Sequence, residues 1–219
     1  MANEKETVSG ISFDLFGTLV TVDRPDDPAE AIAHALEEQG ISVPDGWSGT
    51  FGERHIDAPA GVEIPLADHV VAALASQSSA RAQAPVCEDV ERAVRSAFDP
   101  DVSTRDGAAM TVETLGERLP VGVLSNCSVP GVAERAIERS GIDGAAFDAV
   151  TTSVDCGWRK PDPRAFRAVA DGLGIGVEGL LHVGDDPVAD GGAIEGGATA
   201  LLTDETPISD VPEVVEGWD

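Results

Sequence analysis

Two segments of the sequence carry carboxylates with the spacing of a catalytic or cation-binding site. Asp14 ends a short alternating stretch and precedes a tight Gly-Thr turn, which presents one carboxylate on a rigid loop. The second segment, residues 184–190, holds three carboxylates within six residues. They repel one another unless a cation lies between them, and hard oxygen ligands suit Mg²⁺. An acidic helix N-terminus would give the same pattern. These three carboxylates are Asp185, Asp186 and Asp190.

Two further segments carry groups that can hold an anion. Ser125 and Asn126 follow the apolar stretch 121–124, which places a hydroxyl and an amide at the end of a predicted strand. Lys160 is one of only two lysines, beside 12 arginines, in the chain. A lysine kept in such a chain indicates a need for a compact ammonium charge. Chance, or an ion pair with the nearby Asp162, would also account for it.

The elements that must position these groups alternate regularly after residue 100. We expect strands at 121–124, 149–153, 180–183 and 199–202, helices at 130–140, 163–172 and 188–195, and one early strand near residues 11–15. This alternation predicts βαβ units with helices on both faces of the sheet. The predicted fold class is therefore α/β with a doubly wound parallel sheet. Ligands bind such sheets at the carboxyl ends of the strands, where all four segments lie.

Residues 22–98 are predicted to form a mainly helical insert. Helical patterns occur at 28–39, 65–82 and 88–98, around an irregular stretch at 41–64 that is rich in Gly and Pro. We expect residues 1–21 and 99–219 to form the α/β core and residues 22–98 to form a small cap. A helix that ends at Arg118 is expected to start at Thr104 or Asp106, either of which would cap it.

Composition excludes several classes of function. The chain of 219 residues has 40 acidic and 14 basic residues, a net charge of −26, which disfavours binding to nucleic acids and anionic membranes. Scarce lysine with excess carboxylate is typical of a halophilic microbe, in which roughly molar salt screens self-repulsion. Three scattered cysteines indicate a reducing compartment. With no secretory or membrane-spanning segment apparent, we expect a cytoplasmic protein with a small-molecule substrate; the oligomeric state is not readable from the sequence.

Together, the four segments resemble the motifs of the haloacid dehalogenase superfamily of hydrolases, in the subgroup with a helical cap after the first motif. The resemblance implies a Rossmann-like core and Asp14 as a nucleophile that forms a covalent intermediate. It implies Mg²⁺ held by the carboxylates of Asp14 and Asp185 and by the backbone carbonyl of Phe16. The other implied roles are phosphate binding by Ser125, the Asn126 amide and Lys160, loop or substrate contact by Thr18, and orientation of Asp185 or waters by Asp186 and Asp190.

Phe16 departs from the pattern of the family's phosphatases, which carry a second Asp at this position. That Asp protonates the leaving group, a contribution typically worth about 10²–10⁴-fold. Three functions stay open. A Mg²⁺-dependent phosphatase of a small phosphorylated metabolite uses the motif IV acids. A 2-haloacid dehalogenase fits Phe16 and would need Arg24, Arg54 or Arg81 to bind the substrate carboxylate. A degenerate member would bind a phosphorylated metabolite without turnover.

Overall fold

A parallel sheet of five strands lies at the centre of the protein. The structure, a computed structural model, describes residues 8–77, 87–99 and 101–217. In chain order, the strands in these residues are β1 (Gly10–Phe13), β2 (Val20–Val22), β3 (Val102–Thr104), β4 (Val121–Ser125), β5 (Ala149–Thr152), β6 (Leu180–Gly184) and β7 (Thr199–Leu202). The large sheet has the order β5-β4-β1-β6-β7 with all neighbours parallel, while β2 and β3 pair antiparallel. The predicted α/β fold class is confirmed.

Helices connect the strands, and two of them begin at aspartate residues that cap the helix. In chain order, they are α1 (Pro28–Glu38), α2 (Trp47–Gly52), α3 (Leu66–Gln77), α4 (Cys87–Ala97), α5 (Ala108–Gly116), α6 (Val132–Arg139), α7 (Ser153–Cys156), α8 (Pro163–Leu173), α9 (Ala193–Gly196) and α10 (Val211–Glu216). The side chains of Asp27 and Asp162 accept hydrogen bonds from the first backbone N–H groups of α1 and α8. In both helices a proline occupies the first turn, where its missing N–H costs nothing.

The large sheet is apolar on both faces. Every residue of β1, β4 and β6 is buried. Because side chains alternate along a strand, Leu181 and Val183 pack in one apolar cluster with α5, α6 and α10, whereas Leu180 packs in another with α8 and α9. Strands buried on both faces are typical of parallel sheets with helical crossovers. The sheet is thus rigid enough to hold polar groups at its carboxyl edge.

Helices α1–α4 pack around an apolar cluster to which Val129, from the segment after β4, also contributes. Ile32 and Leu36 of α1, Val70 of α3 and Val90 of α4 are fully buried in it. Strands β2 and β3 lie where the chain enters and leaves this helical segment, and they pair with each other. The separate cluster supports the proposal that residues 22–98 form a cap on a core of residues 1–21 and 99–219.

The helical segment is also anchored to the α/β core by the loop between α2 and α3. The backbone N–H of Glu63 donates to Gly157 O at 3.0 Å, and that of Arg159 donates to Gly61 O at 2.8 Å. The buried Glu63 carboxylate accepts a hydrogen bond from Arg159 at 2.6 Å and one from the Ser153 hydroxyl. These contacts tie the segment directly to the loop that carries Lys160.

Three predictions about local structure need correction. The helix expected at 188–195 is wrong: residues 187–192 form turns, and only Ala193–Gly196 are helical. Neither Thr104 nor Asp106 caps α5, since Thr104 ends β3 and Gly107, in the left-handed conformation, is the N-cap. The irregular stretch 41–64 contains the short helix α2. Residues 78–82 of the helix predicted at 65–82 lie outside the described residues.

No helix within the described residues combines the length and the apolar character needed to cross a membrane.

Candidate active site

Polar side chains from several segments meet at the carboxyl ends of three neighbouring strands. Strand β1 leads into Asp14, β4 ends in Ser125, and β6 leads into Asp185. Because β1 lies between β4 and β6, the Asp14 segment is central. The backbone N–H of Asp14 donates to Val183 O at 2.8 Å, which fixes the residue to the end of β6. The site is therefore built on the rigid edge of the sheet.

Lys160 lies at the centre of the buried polar groups. Its ammonium nitrogen donates to Asp14 Oδ1 at 2.7 Å, to Asp190 Oδ1 at 2.6 Å and to Leu124 O at 2.8 Å. The Asn126 side chain holds the Lys160 backbone from both sides, accepting from its N–H at 2.8 Å and donating to its carbonyl at 3.0 Å. The ammonium thus satisfies all three of its donors while bridging two carboxylates.

The charges in this cluster shift one another's pKa values. Burial raises the pKa of Asp14 to about 6, although the adjacent Lys160 opposes the change. Burial would also raise the pKa of Asp190, but the hydrogen bond from His182 and the charge of Lys160 outweigh it and hold that pKa below its usual range. Burial and the charge of Lys160 lower the pKa of His182 to about 4. Asp190 is therefore the permanent counter-ion of Lys160, and His182 is neutral.

His182 supports the cluster from within the sheet. Its side chain is fully buried, and Nε2 lies 3.0 Å from Asp190 Oδ1. Its Nδ1 lies 2.8 Å from the hydroxyl of Ser12, the residue directly opposite it in the β1–β6 register. Since Asp190 can only accept, a neutral His182 donates from Nε2 and accepts from Ser12 at Nδ1. A chain of hydrogen bonds therefore runs from Ser12 through His182 and Asp190 to Lys160.

Asp185 is held beside the Asp14 loop by contacts separate from this chain of hydrogen bonds. The buried Thr18 hydroxyl donates to Asp185 Oδ1 at 2.7 Å. Gly17 has a φ of +109°, and a Cβ there would lie 2.5 Å from Asp185 Oδ2. The glycine thus permits both the turn and the close approach of the carboxylate. Among the described residues, no cationic side chain pairs with Asp185.

The turns after β6 place Asp186 and Asp190 differently. The Asp186 carboxylate accepts from the backbone N–H groups of Val188 at 2.7 Å and Ala189 at 3.0 Å, so it shapes the turn. Asp190 Oδ2 accepts from the Asp186 N–H at 2.9 Å, and its Oδ1 meets Lys160. A Cβ on Gly184 would lie 2.1 Å from Asp190, so glycine is needed for Asp190 to reach inwards.

The Ser125 hydroxyl is buried and has no hydrogen-bond partner in the part of the chain that the structure describes. Leaving a buried hydroxyl unpaired costs roughly 1–3 kcal/mol, so such groups in native proteins need a specific explanation. Here the hydroxyl ends β4, next to the Asn126–Lys160 contacts. A bound anion at this position would supply the missing partner.

A cleft of about 240 Å³ opens beside the Asp14 loop. Phe16 and Asn126 contribute to its wall, so it is continuous with the site. Of the described residues that line the cleft, Arg24 is the only charged one. The other residues that line it are Val22, Pro25, Leu66, Phe98, Cys127, Ser128, Val129 and Val132.

Comparison with known proteins agrees with this arrangement. The model of the haloacid dehalogenase-like hydrolases matches residues 8–197, most of the chain. The chain belongs to this family. It is a hydrolase of the haloacid dehalogenase type, and the resemblance predicted from the four segments is confirmed. The family match does not support the predicted halophilic origin.

Proteins similar to this hydrolase include one phosphatase by sequence, and a dehalogenase and a predicted phosphatase by fold. It is 28% identical over 205 residues to phosphatase MT3486 of Mycobacterium tuberculosis, covering 91% of this chain and 89% of the relative. The 2-haloacid dehalogenase of Pseudomonas syringae pv. Tomato has the same fold, with 19% identity, a TM-score of 0.67 and coverage of 97% and 100%. A predicted phosphoglycolate phosphatase of Haemophilus somnus shares the fold too, with 17% identity, a TM-score of 0.57 and coverage of 97% and 99%.

The structure brings most of the residues singled out in this hydrolase's sequence to one place. Asp14, Lys160 and Asp190 are in direct contact, Asn126 binds the Lys160 backbone, and Thr18 reaches Asp185 rather than solvent. Their catalytic roles stay predictions.

Of the three arginines proposed to bind a substrate carboxylate, the two that the structure describes lie in different surroundings. Arg54 donates to the backbone carbonyls of Ile56 and Ala58, whereas Arg24 lines the cleft next to Phe16. Arg81 lies outside the described residues.

Sequence patterns left three features of the site unassigned. The partners of His182 were not visible, because Ser12 is 170 residues away in sequence. The buried Glu63 carboxylate gave no signal within a segment of irregular composition. The need for glycine at position 184 became apparent only from the inward path of Asp190.

Proposed function

We propose that the protein is a Mg²⁺-dependent phosphatase of a small phosphorylated metabolite, with Asp14 as the nucleophile. The observation that carries the proposal is the position of Asp185, a carboxylate held beside the Asp14 loop by Thr18 and by the absence of a side chain at Gly17. Asp185 has no cationic partner within the described residues. A site that does not use a cation gains nothing from a second carboxylate placed so close to the first.

The residues around Asp185 fit a magnesium ion. The donors are hard oxygens: the carboxylates of Asp14 and Asp185 and the backbone carbonyl of Phe16, with water completing the shell, as Mg²⁺ prefers. In the described part of the chain, no three His, Cys, Asp or Glu side chains converge as a metal cage, so the proposed site has only two side-chain ligands. When bound, the ion would neutralise charge on the transferred phosphoryl group.

The protein's own residues have distinct roles in this proposal. Asp14 Oδ2 attacks phosphorus, while its Oδ1 is held by Lys160 at 2.7 Å. The Ser125 hydroxyl and the Asn126 backbone amide bind the phosphate oxygens, Lys160 supplies a positive charge beside them, and Asp190 keeps the Lys160 ammonium in position. Thr18 holds Asp185 beside the loop. Positioning and charge neutralisation account for most of the catalysis of phosphoryl transfer, which is what these groups provide.

The proposal is tested by hydrolysis of 4-nitrophenyl phosphate with Mg²⁺ and with EDTA, at low and high salt. We expect activity that requires the metal and is lost in Asp14→Asn and in Asp185→Asn. Asp171→Asn changes the same charge on the exposed side of α8 and serves as the matched control. Activity that is unaffected by EDTA, or that persists in Asp14→Asn, would contradict the proposal.

A second candidate function, 2-haloacid dehalogenation, is favoured by one observation. Phe16 and Arg24 both line the cleft, so a halide could leave without a proton while a carboxylate bound the guanidinium. This function predicts release of chloride from 2-chloropropionate in EDTA, with loss of activity in Arg24→Ala. The exposed Arg167 of α8 gives the control Arg167→Ala. Chloride release no faster than the uncatalysed rate from either enantiomer of 2-chloropropionate would exclude this function.

A further inference from the structure

The cleft next to Asp14 has an apolar wall. Seven of its lining residues are apolar, and they come from the Asp14 loop, the β2 connection, the start of α3, the end of α4 and the segment after β4. Phe16 joins this wall to the loop that carries Asp14, and Asn126 joins it to Lys160. The part of a substrate that extends from the phosphate towards the cleft is therefore in contact with hydrocarbon.

None of the described residues that line the cleft carries a carboxyl or imidazole group that could protonate a leaving group. The Arg24 guanidinium does not deprotonate, and the Asn126 amide is not an acid. The Cys127 thiol donates to Val129 O at 3.3 Å, and burial raises the pKa of that thiol above its ordinary value. The Ser128 hydroxyl accepts a hydrogen bond from Arg159 at 3.0 Å, and an aliphatic hydroxyl is too weak an acid to serve as a general acid.

The described titratable groups around Asp14 are engaged by other residues and lie outside the cleft. Lys160 bridges Asp14 and Asp190, His182 is fully buried behind them, and Asp185 accepts from Thr18. None of these side chains belongs to the lining of the cleft. An alkoxide expelled into the cleft would therefore leave unprotonated, and the missing acid would cost about 10²–10⁴-fold in rate.

We propose that the site acts on aryl phosphates, whose leaving group is apolar and departs as a stable phenolate. This inference rests on the proposed phosphatase function and names its substrate class. An oxygen of Asp14 forms a bond to phosphorus while the bond between phosphorus and the phenol oxygen breaks, and the electron pair stays on that oxygen. Water then attacks the phosphorus, the bond to Asp14 breaks, and dihydrogen phosphate is released. The phenolate takes its proton from solvent.

The test compares two isomers, 4-methylphenyl phosphate and benzyl phosphate. They have the same atoms and a similar apolar shape, but only the first expels a phenolate. We expect kcat/KM, measured with Mg²⁺ and corrected for the Asp14→Asn background, to be higher for the methylphenyl ester by at least about 100-fold, the lower end of what a general acid supplies.

A pair of variants at position 16 tests the cause. Phe16→Asp places an acid on the wall of the cleft, and we expect it to reduce the ratio of the two kcat/KM values by at least about tenfold. Phe16→Asn has the same shape without the proton and should keep the wild-type ratio. The wild-type comparison decides the inference by itself if the Asp variant does not fold.

The outcomes separate this inference from the proposed function. A ratio below about tenfold in active wild-type protein, or a folded Phe16→Asp variant with an unchanged ratio, would overturn the substrate class but leave the phosphatase in place. Absence of Asp14-dependent hydrolysis of either ester, and of 4-nitrophenyl phosphate, would overturn both.

Discussion

Replacing Lys160 by methionine should destabilise the protein as well as inactivate it. The ammonium is almost fully buried and makes three hydrogen bonds of 2.6–2.8 Å, two of them to carboxylates. The substitution keeps the length of the side chain but leaves Asp14 and Asp190 as buried carboxylates without their cation. Breaking a buried pair in this way costs about 3–5 kcal/mol. At roughly 2–4 °C per kcal/mol, the melting temperature falls by roughly 6–20 °C.

A double-mutant cycle isolates the electrostatic part of that loss. Thermal and urea unfolding of wild type, Lys160→Met, Asp14→Asn and the double variant, all in EDTA, give the coupling free energy. Because Asp14→Asn removes one of the two stranded carboxylates, the double variant should be more stable than Lys160→Met alone. The reasoning is refuted if Lys160→Met loses less than about 1 kcal/mol, or if the double variant is as unstable as Lys160→Met.

Three further changes have defined outcomes. Gly184→Ala should lower both stability and activity, because a Cβ would lie 2.1 Å from Asp190; unfolding and 4-nitrophenyl phosphate assays measure this. His182→Leu should lower kcat with a smaller change in KM, since Asp190 loses the donor that fixes it beside Lys160. Its steady-state kinetics are compared with those of His182→Gln, which keeps an N–H donor and should recover much of the rate. Glu63→Ala should lower the melting temperature, because it removes the buried partner of Arg159.

Matched substitutions serve as controls for these changes. Gly49→Ala adds the same methyl group where nothing lies within 4 Å and should leave activity unchanged. Asp57→Ala removes a fully exposed carboxylate and should change the unfolding free energy by less than about 0.5 kcal/mol. Equal effects at Gly184 and Gly49, at Glu63 and Asp57, or of Leu and Gln at position 182, would contradict the structural reasons given.

The positions of the main strands along the chain and the four polar segments could be predicted because their signals are local. Largely apolar stretches such as 121–124 and 180–183 identify buried strands, and a polar residue within two positions of the end of each one must lie at the carboxyl edge of a parallel sheet. The starts of α1 and α8 are also local, since Asp27 and Asp162 bind the backbone N–H groups of residues close to them in sequence. Local patterns of this kind require no knowledge of distant contacts.

The errors arise where glycine interrupts a pattern or where side chains meet across long separations. The helix expected at 188–195 is limited to Ala193–Gly196 because Gly191 and Gly192 disfavour helix, although Asp186 binds the backbone N–H groups of Val188 and Ala189 as an N-cap does. The Ser12–His182 pair depends on the register of β1 against β6, which periodicity does not contain. The contact between Glu63 and Arg159 spans 96 residues of sequence.

The central claim, that Asp14 forms a bond to the transferred group, is tested most directly by trapping. Protein mixed with 4-nitrophenyl phosphate and Mg²⁺ is quenched in acid on the millisecond scale, digested, and the peptides are examined by mass spectrometry. The account predicts one phosphoryl group on Asp14 in wild type and none in Asp14→Asn. Phosphate release at the steady-state rate with Asp14 never phosphorylated, or with the phosphoryl group on another residue, would contradict it.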